Sequence, residues 1–167
     1  MSRVTGPEPS PSTPNHRVQS KLLHETDGNT GSARTFAVVF EAGDEPADGL
    51  RAFADEHEIS AARLSGLGAV RRATLAFFVP EKKEYDEISV REQTEVLSLT
   101  GNVALHEGRP RLHAHAVLGR RDGETVGGHL LGATVRPTLE VMLVETPAAL
   151  HRQMDEASGL PLIAMGE

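Results

Sequence analysis

Apolar residues along this chain fall mostly into short runs of strand length, broken by turn-forming clusters. RTFAVVFEAG, residues 34–43, is a β-rich apolar run that reads as a buried strand. SKLLHE before it reads as a first strand, with DGNTGS as the loop between them. In DEPADGLRAFADEHEIS the period changes. Leu50, Phe53, Ala54 and His57 recur at helical spacing, Asp44 suits the N-cap and Pro46 the first turn. A helix is therefore expected over about Pro46 to Glu58, with its acidic residues facing water.

AARLSGLGAVRRATLAFFVP reads as a strand, a bend at Gly66 to Gly68, and a second strand ending at Val79. EKKEYDEIS reads as a charged loop. TEVLSLTGNVALHEG alternates up to a turn at Glu107-Gly108, and TLEVMLVET is a further strand. TPAALHRQMDEASG reads as a closing helix, capped by Thr146, opened by Pro147 and stopped by Gly159. Many strands, two helices and short links predict an α+β fold, a mostly antiparallel sheet of about seven strands with helices packed on it. Residues 1–17, rich in Pro, Ser and Thr, have little to bury and are expected to form a disordered tail ahead of a single domain, 18–167.

Composition narrows the chemistry. The chain has no cysteine, which excludes disulfides and thiolate metal sites and leaves histidine and carboxylate as the metal ligands available. The net charge of −7 argues against bulk attraction to nucleic acid, whose binding depends on neutralising phosphates. No apolar run approaches the ~18 residues of a membrane span. The first residues lack the apolar core of a secretory signal, so a cytoplasmic protein is expected.

The informative stretch is RLHAHAVLGRRDGETVGGHLL, residues 111–131, which holds three of the eight histidines. LHAHAVL alternates, so as a strand it presents His113 and His115 on one face and Ala114 and Ala116 on the other. A loop of Arg121, Asp122 and left-handed Gly123 would pair Arg120 with Glu124 and set His115 opposite His129. A two-residue loop would turn His129 to the other face. In the three-residue register, three imidazoles converge beside Gly127 and Gly128, whose missing side chains would leave room for a ligand. Three neutral imidazoles suit zinc or a similar divalent ion, with a fourth position free. Hydrogen bonding at a subunit interface is the competing account of the same residues.

The order TEVLSLTGNVAL, turn, LHAHAVLGRRDGETVGGHLLGATVRPTLEVMLVE resembles the PPC domain, the plant- and prokaryote-conserved domain found alone in microbes and joined to AT-hooks in plant nuclear proteins. The similarity runs from about Thr35 to Glu145 and is most specific at His-x-His, the Asp-Gly turn, Gly-Gly-His-Leu and Thr-x-Glu-Val. It implies a mostly antiparallel sheet, a homotrimer, and a metal held by His113, His115 and His129. It also brings the label of DNA-binding regulator. However, Glu107-Gly108-Arg109-Pro110 has glutamate where an AT-hook needs arginine, and it lies in a turn between strands. The plant partner-binding motif Gly-Arg-Phe-Glu-Ile-Leu falls on Glu92 to Leu97, where only the second half survives.

Glu95 and Glu140 are candidates for accepting a ligating imidazole N–H or for acting as a base near the metal, and otherwise are outward strand residues. Three expectations follow: a trimeric zinc-binding module without an established reaction, a DNA-associated regulator, or a metal-dependent hydrolase or lyase.

Overall fold

The computed structural model describes residues 18–28 and 31–165, so the expected tail lies outside the described residues. Nine strands and one helix follow in order: β1 (Gln19–Gly28), β2 (Gly31–Glu41), α1 (Pro46–Glu56), β3 (Ala61–Val79), β4 (Glu84–Val90), β5 (Thr94–His106), β6 (Arg109–Gly119), β7 (Thr125–Glu145), β8 (His151–Asp155) and β9 (Leu160–Ala164). Nearly every pairing is antiparallel; β8 alone joins β5 in parallel, through Leu105 and His151.

The sheet closes on itself. β3 pairs with β5 and β7, and β6 pairs with both β5 and β7, making a ring of four strands. Closure needs long strands that bend, and glycines supply the bends in β3. Its register shifts between Gly66 and Gly68 against β5. A side chain on Gly68 would stand 2.3 Å from the Thr138 carbonyl oxygen, so β7 can approach here only because the residue is glycine. The expected break in β3 is thus a bulge within one 19-residue strand.

The ring's inward residues Val70, Leu75, Leu99, Leu118, Val135 and Leu139 are almost wholly buried. The helix α1 packs on β6 and β7 and adds Leu50, Phe53 and Ala54 to the same core, beside Phe36, Val38 and Phe40 of β2. Glu45, not Asp44, caps it: its carboxylate accepts from the amides of Ala47 and Asp48 and also from that of Ala133, tying the helix start to β7. Asp44 instead accepts from the Glu41 amide.

Three further sequence expectations are corrected. There are nine strands among the described residues, not about seven. The charged segment after Val79 is a tight turn followed by an edge strand, β4, whose outward acids mask a short apolar series. The expected closing helix at 146–159 is a hairpin. Leu105 N–H donates to the Leu150 carbonyl, drawing the segment onto β5. Asp155 accepts from the Ser158 amide and hydroxyl, and Gly159 follows in a left-handed conformation, a turn chemistry that a helix terminus shares. Pro161 then lies on the outermost strand, where a missing N–H costs nothing.

Candidate metal centre

The hairpin of β6 and β7 follows the three-residue reading of its turn. Arg120 N–H donates to the Glu124 carbonyl, Gly123 N–H donates to the Arg120 carbonyl, and Gly123 has φ +90°. His115 therefore stands opposite His129. Ala114 and Ala116 are buried, which turns His113 and His115 outward on the other face of β6. On its far side His129 pairs with Ala76 of β3, which places it on the seam where the ring closes.

The three rings converge. Their centroids lie 5.1 to 5.4 Å apart, and one nitrogen from each falls within 4.8 Å of the others. The Nε2 atoms of His113 and His115 are 3.2 Å apart. Nitrogens sharing a tetrahedral zinc stand about 3.3 Å apart, from Zn–N bonds of about 2.0–2.1 Å, so this pair already has the spacing. His129 is fixed by stacking on Tyr85, centroids 5.0 Å apart and planes at 29°. Its buried Nδ1 has no hydrogen-bond partner among the described residues.

Burial, followed by the neighbouring charges of His113 and His115, pushes the His129 pKa down to about 4. Burial also lowers that of His113. Both rings are thus held in the neutral form that offers a lone pair to a metal. An orphaned nitrogen on His129, one pair of nitrogens at tetrahedral spacing and an all-imidazole donor set fit zinc.

Glu95 and Glu140 are not at this centre. Both are exposed; Glu95 pairs with Gly119 at the far end of β6, and Glu140 lies eleven residues beyond His129 on β7. Gly127 and Gly128 do not open space either. A side chain on Gly128 would meet the Ala76 carbonyl oxygen at 2.7 Å, so these glycines allow close strand packing. The Glu107-Gly108 segment is a two-residue hairpin turn with both φ angles positive, +51° and +75°.

Gly101 matters in the same way. Its Cβ would stand 2.4 Å from the His113 carbonyl oxygen and 2.9 Å from Ala114 Cα, both backbone atoms. Gly101→Ala is expected to push β6 outward, costing about 1–3 kcal/mol by denaturant melt and weakening zinc binding at least about tenfold by titration.

A family model for the Plants and Prokaryotes Conserved (PCC) domain matches residues 28–147. The chain belongs to the PCC domain family. A plant- and prokaryote-conserved protein of Pyrococcus horikoshii superposes with TM-score 0.75 at 30% identity, covering 89% of this chain and 96% of its own. A metal-containing protein of Archaeoglobus fulgidus gives 0.73 at 35% identity, covering 86% and 99%. A protein of Bacteroides thetaiotaomicron, described as a "putative DNA-binding protein", gives 0.78 at 30% identity, covering 89% and 97%. Among curated proteins none matches. The sequence resemblance thus named the right family.

The sequence reading overlooked three arginines beside the histidines: Arg51, Arg111 and Arg152. Arg111 was detectable, because RLHAH places it on the same strand face as His113 and His115. Arg152 was hidden by the helical reading of its segment.

Proposed function

We propose that this PCC-domain protein is a metal-binding module in which His113, His115 and His129 hold a divalent ion, with zinc the best fit to the donor set. The observation that carries the reading is the convergence of three imidazoles from two paired strands within 4.8 Å. The metal content of the Archaeoglobus relative supports it. Bound there, zinc would supply Lewis-acid chemistry, the polarisation of a bound water or carbonyl group. Glu95 and Glu140 lie away from the trio, so neither serves as a general base there, and we assign no reaction.

We also propose a homotrimer. Leu67, Leu97 and Met142 are 64%, 51% and 42% exposed on the outer face of β3, β5 and β7. A cluster of large apolar side chains kept in water normally marks an interface. Light scattering should give about three times the 17.9 kDa chain mass.

The second reading, DNA association, draws on the description of the Bacteroides relative. The net charge of −7 and the hairpin occupying Glu107 to Pro110 disfavour it. Two measurements decide between the readings. Elemental analysis after reconstitution should find about one zinc per chain, whereas less than about 0.2 would overturn the metal reading. An anisotropy titration with AT-rich duplex should stay flat, and micromolar binding with steep salt dependence would favour the DNA reading.

A further inference from the structure

A cavity of about 320 Å³ opens directly beside the candidate metal centre. His113 and His129 line it, with Tyr85 of β4 stacked on His129. Arg152, Arg111 and Arg51 of α1 line it as well. The hairpin of β8 and β9 provides the remaining wall through residues 160–162. That hairpin lies entirely beyond the segment matched by the family model.

Arg152 is the unusual member. It is only 8% exposed, yet no carboxylate pairs with it among the described residues. Its Nη1 donates to the Pro161 carbonyl and its Nη2 to the Asn102 side-chain oxygen, both neutral acceptors. Its buried Nε has no acceptor among the described residues. Asn102 is the register partner of His113, so the guanidinium is anchored one residue pair away from the imidazoles. Arg111 stands two residues before His113 and has no ion-pair partner among the described residues, whereas Arg51 is paired with Asp48. Two uncompensated guanidinium groups therefore face one small cavity.

A buried guanidinium without a counter-charge is costly unless an anion accompanies it. Burial and the charge of Arg111 both work against the charge of Arg152, and a bound anion would offset both. The planar N–H fork of arginine matches carboxylate and phosphate oxygens.

We propose that this cavity binds a small oxyanion, a carboxylate or phosphate group of a small molecule, with Arg152 and Arg111 as its anchors and His113 and His129 lining it beside them. The inference extends the metal reading by naming the ligand class of the same pocket, but anion capture by the arginines needs no metal. The two can therefore fail separately.

The test is isothermal titration of full-length protein with inorganic phosphate and, separately, with succinate, each on chelator-treated and zinc-loaded samples. At least one anion should bind metal-free protein with Kd below about 1 mM. The stronger of the two identifies the headgroup. Arg152→Gln and Arg111→Gln should each weaken binding about tenfold or more. Arg111 is exposed, so its variant keeps the test valid if Arg152→Gln fails to fold. His115→Ala, at a histidine of the trio that does not line this cavity, should weaken zinc binding and still bind the anion. Failure of both anions to bind, as when a neighbouring subunit's carboxylate fills the cavity, would overturn the proposal. Binding seen only with zinc and unchanged in both arginine variants would overturn it too.

Discussion

A His129→Ala protein is expected to lose its zinc, with affinity falling by more than about a hundredfold, beyond what an outer hydrogen-bond partner of a ligand costs. His129 contributes the nitrogen that joins β7 to the His-x-His pair on β6, so its removal leaves a two-ligand fragment. The same substitution removes a ring stacked on Tyr85, which alone would lower stability. The discriminating readout is therefore the zinc-dependent rise in melting temperature. Wild type at a hundredfold excess over Kd should gain about 2.7 kcal/mol, and the variant should gain nothing. A gain that persisted in both His129→Ala and His113→Ala would place the ion elsewhere.

The second large effect concerns the frame. Glu145, 8% exposed at the end of β7, accepts from Arg34 Nε at 2.6 Å and from Nη2 at 2.9 Å. The same guanidinium donates to the His57 carbonyl at the end of α1, 2.8 Å away. One arginine thus joins β2, β7 and the helix. Glu145→Ala removes the carboxylate hydrogen-bonded to that cation and should cost about 3 kcal/mol in urea unfolding, the low end for a broken buried pair because Glu25 and Glu58 still act on Arg34, a large share of a typical 5–15 kcal/mol total. Arg34→Met combined with Glu145→Leu should recover much of the loss, because the penalty comes from the orphaned charge. A single-variant loss below about 1 kcal/mol would mean that solvent screens the pair.

The histidine hairpin was legible in the sequence because its determinants are local. A strict alternation fixes the face of His113 and His115, and an Asp-Gly turn of defined length fixes the register of His129. The first helix was legible for the same reason, with Leu50, Phe53 and Ala54 buried as their spacing required.

What failed depended on distant partners. Segment 146–159 carries helix-compatible punctuation, yet its strand identity is set by β5, more than forty residues earlier. Glu95 and Glu140 were chosen for their apolar setting, but strand alternation turns them outward, away from the histidines. Of the cavity's two anchoring arginines, Arg111 was within reach of strand alternation and Arg152 was not. Arg152 becomes buried only once the misread segment folds back onto Asn102.

The ring of strands has one short joint. β6 meets β7 over five residue pairs, His115 to Gly119 against Thr125 to His129, whereas β3 and β5 run together over most of ten residues. The outermost rung of that short joint is the pair His115 and His129. A joint of so few rungs is where a closed sheet would unzip first, and unzipping would start at the end away from the turn. An ion gripped there acts as a rivet on the rung that would otherwise part first. Occupancy of the centre would then govern how long the barrel stays shut, as well as what it can bind.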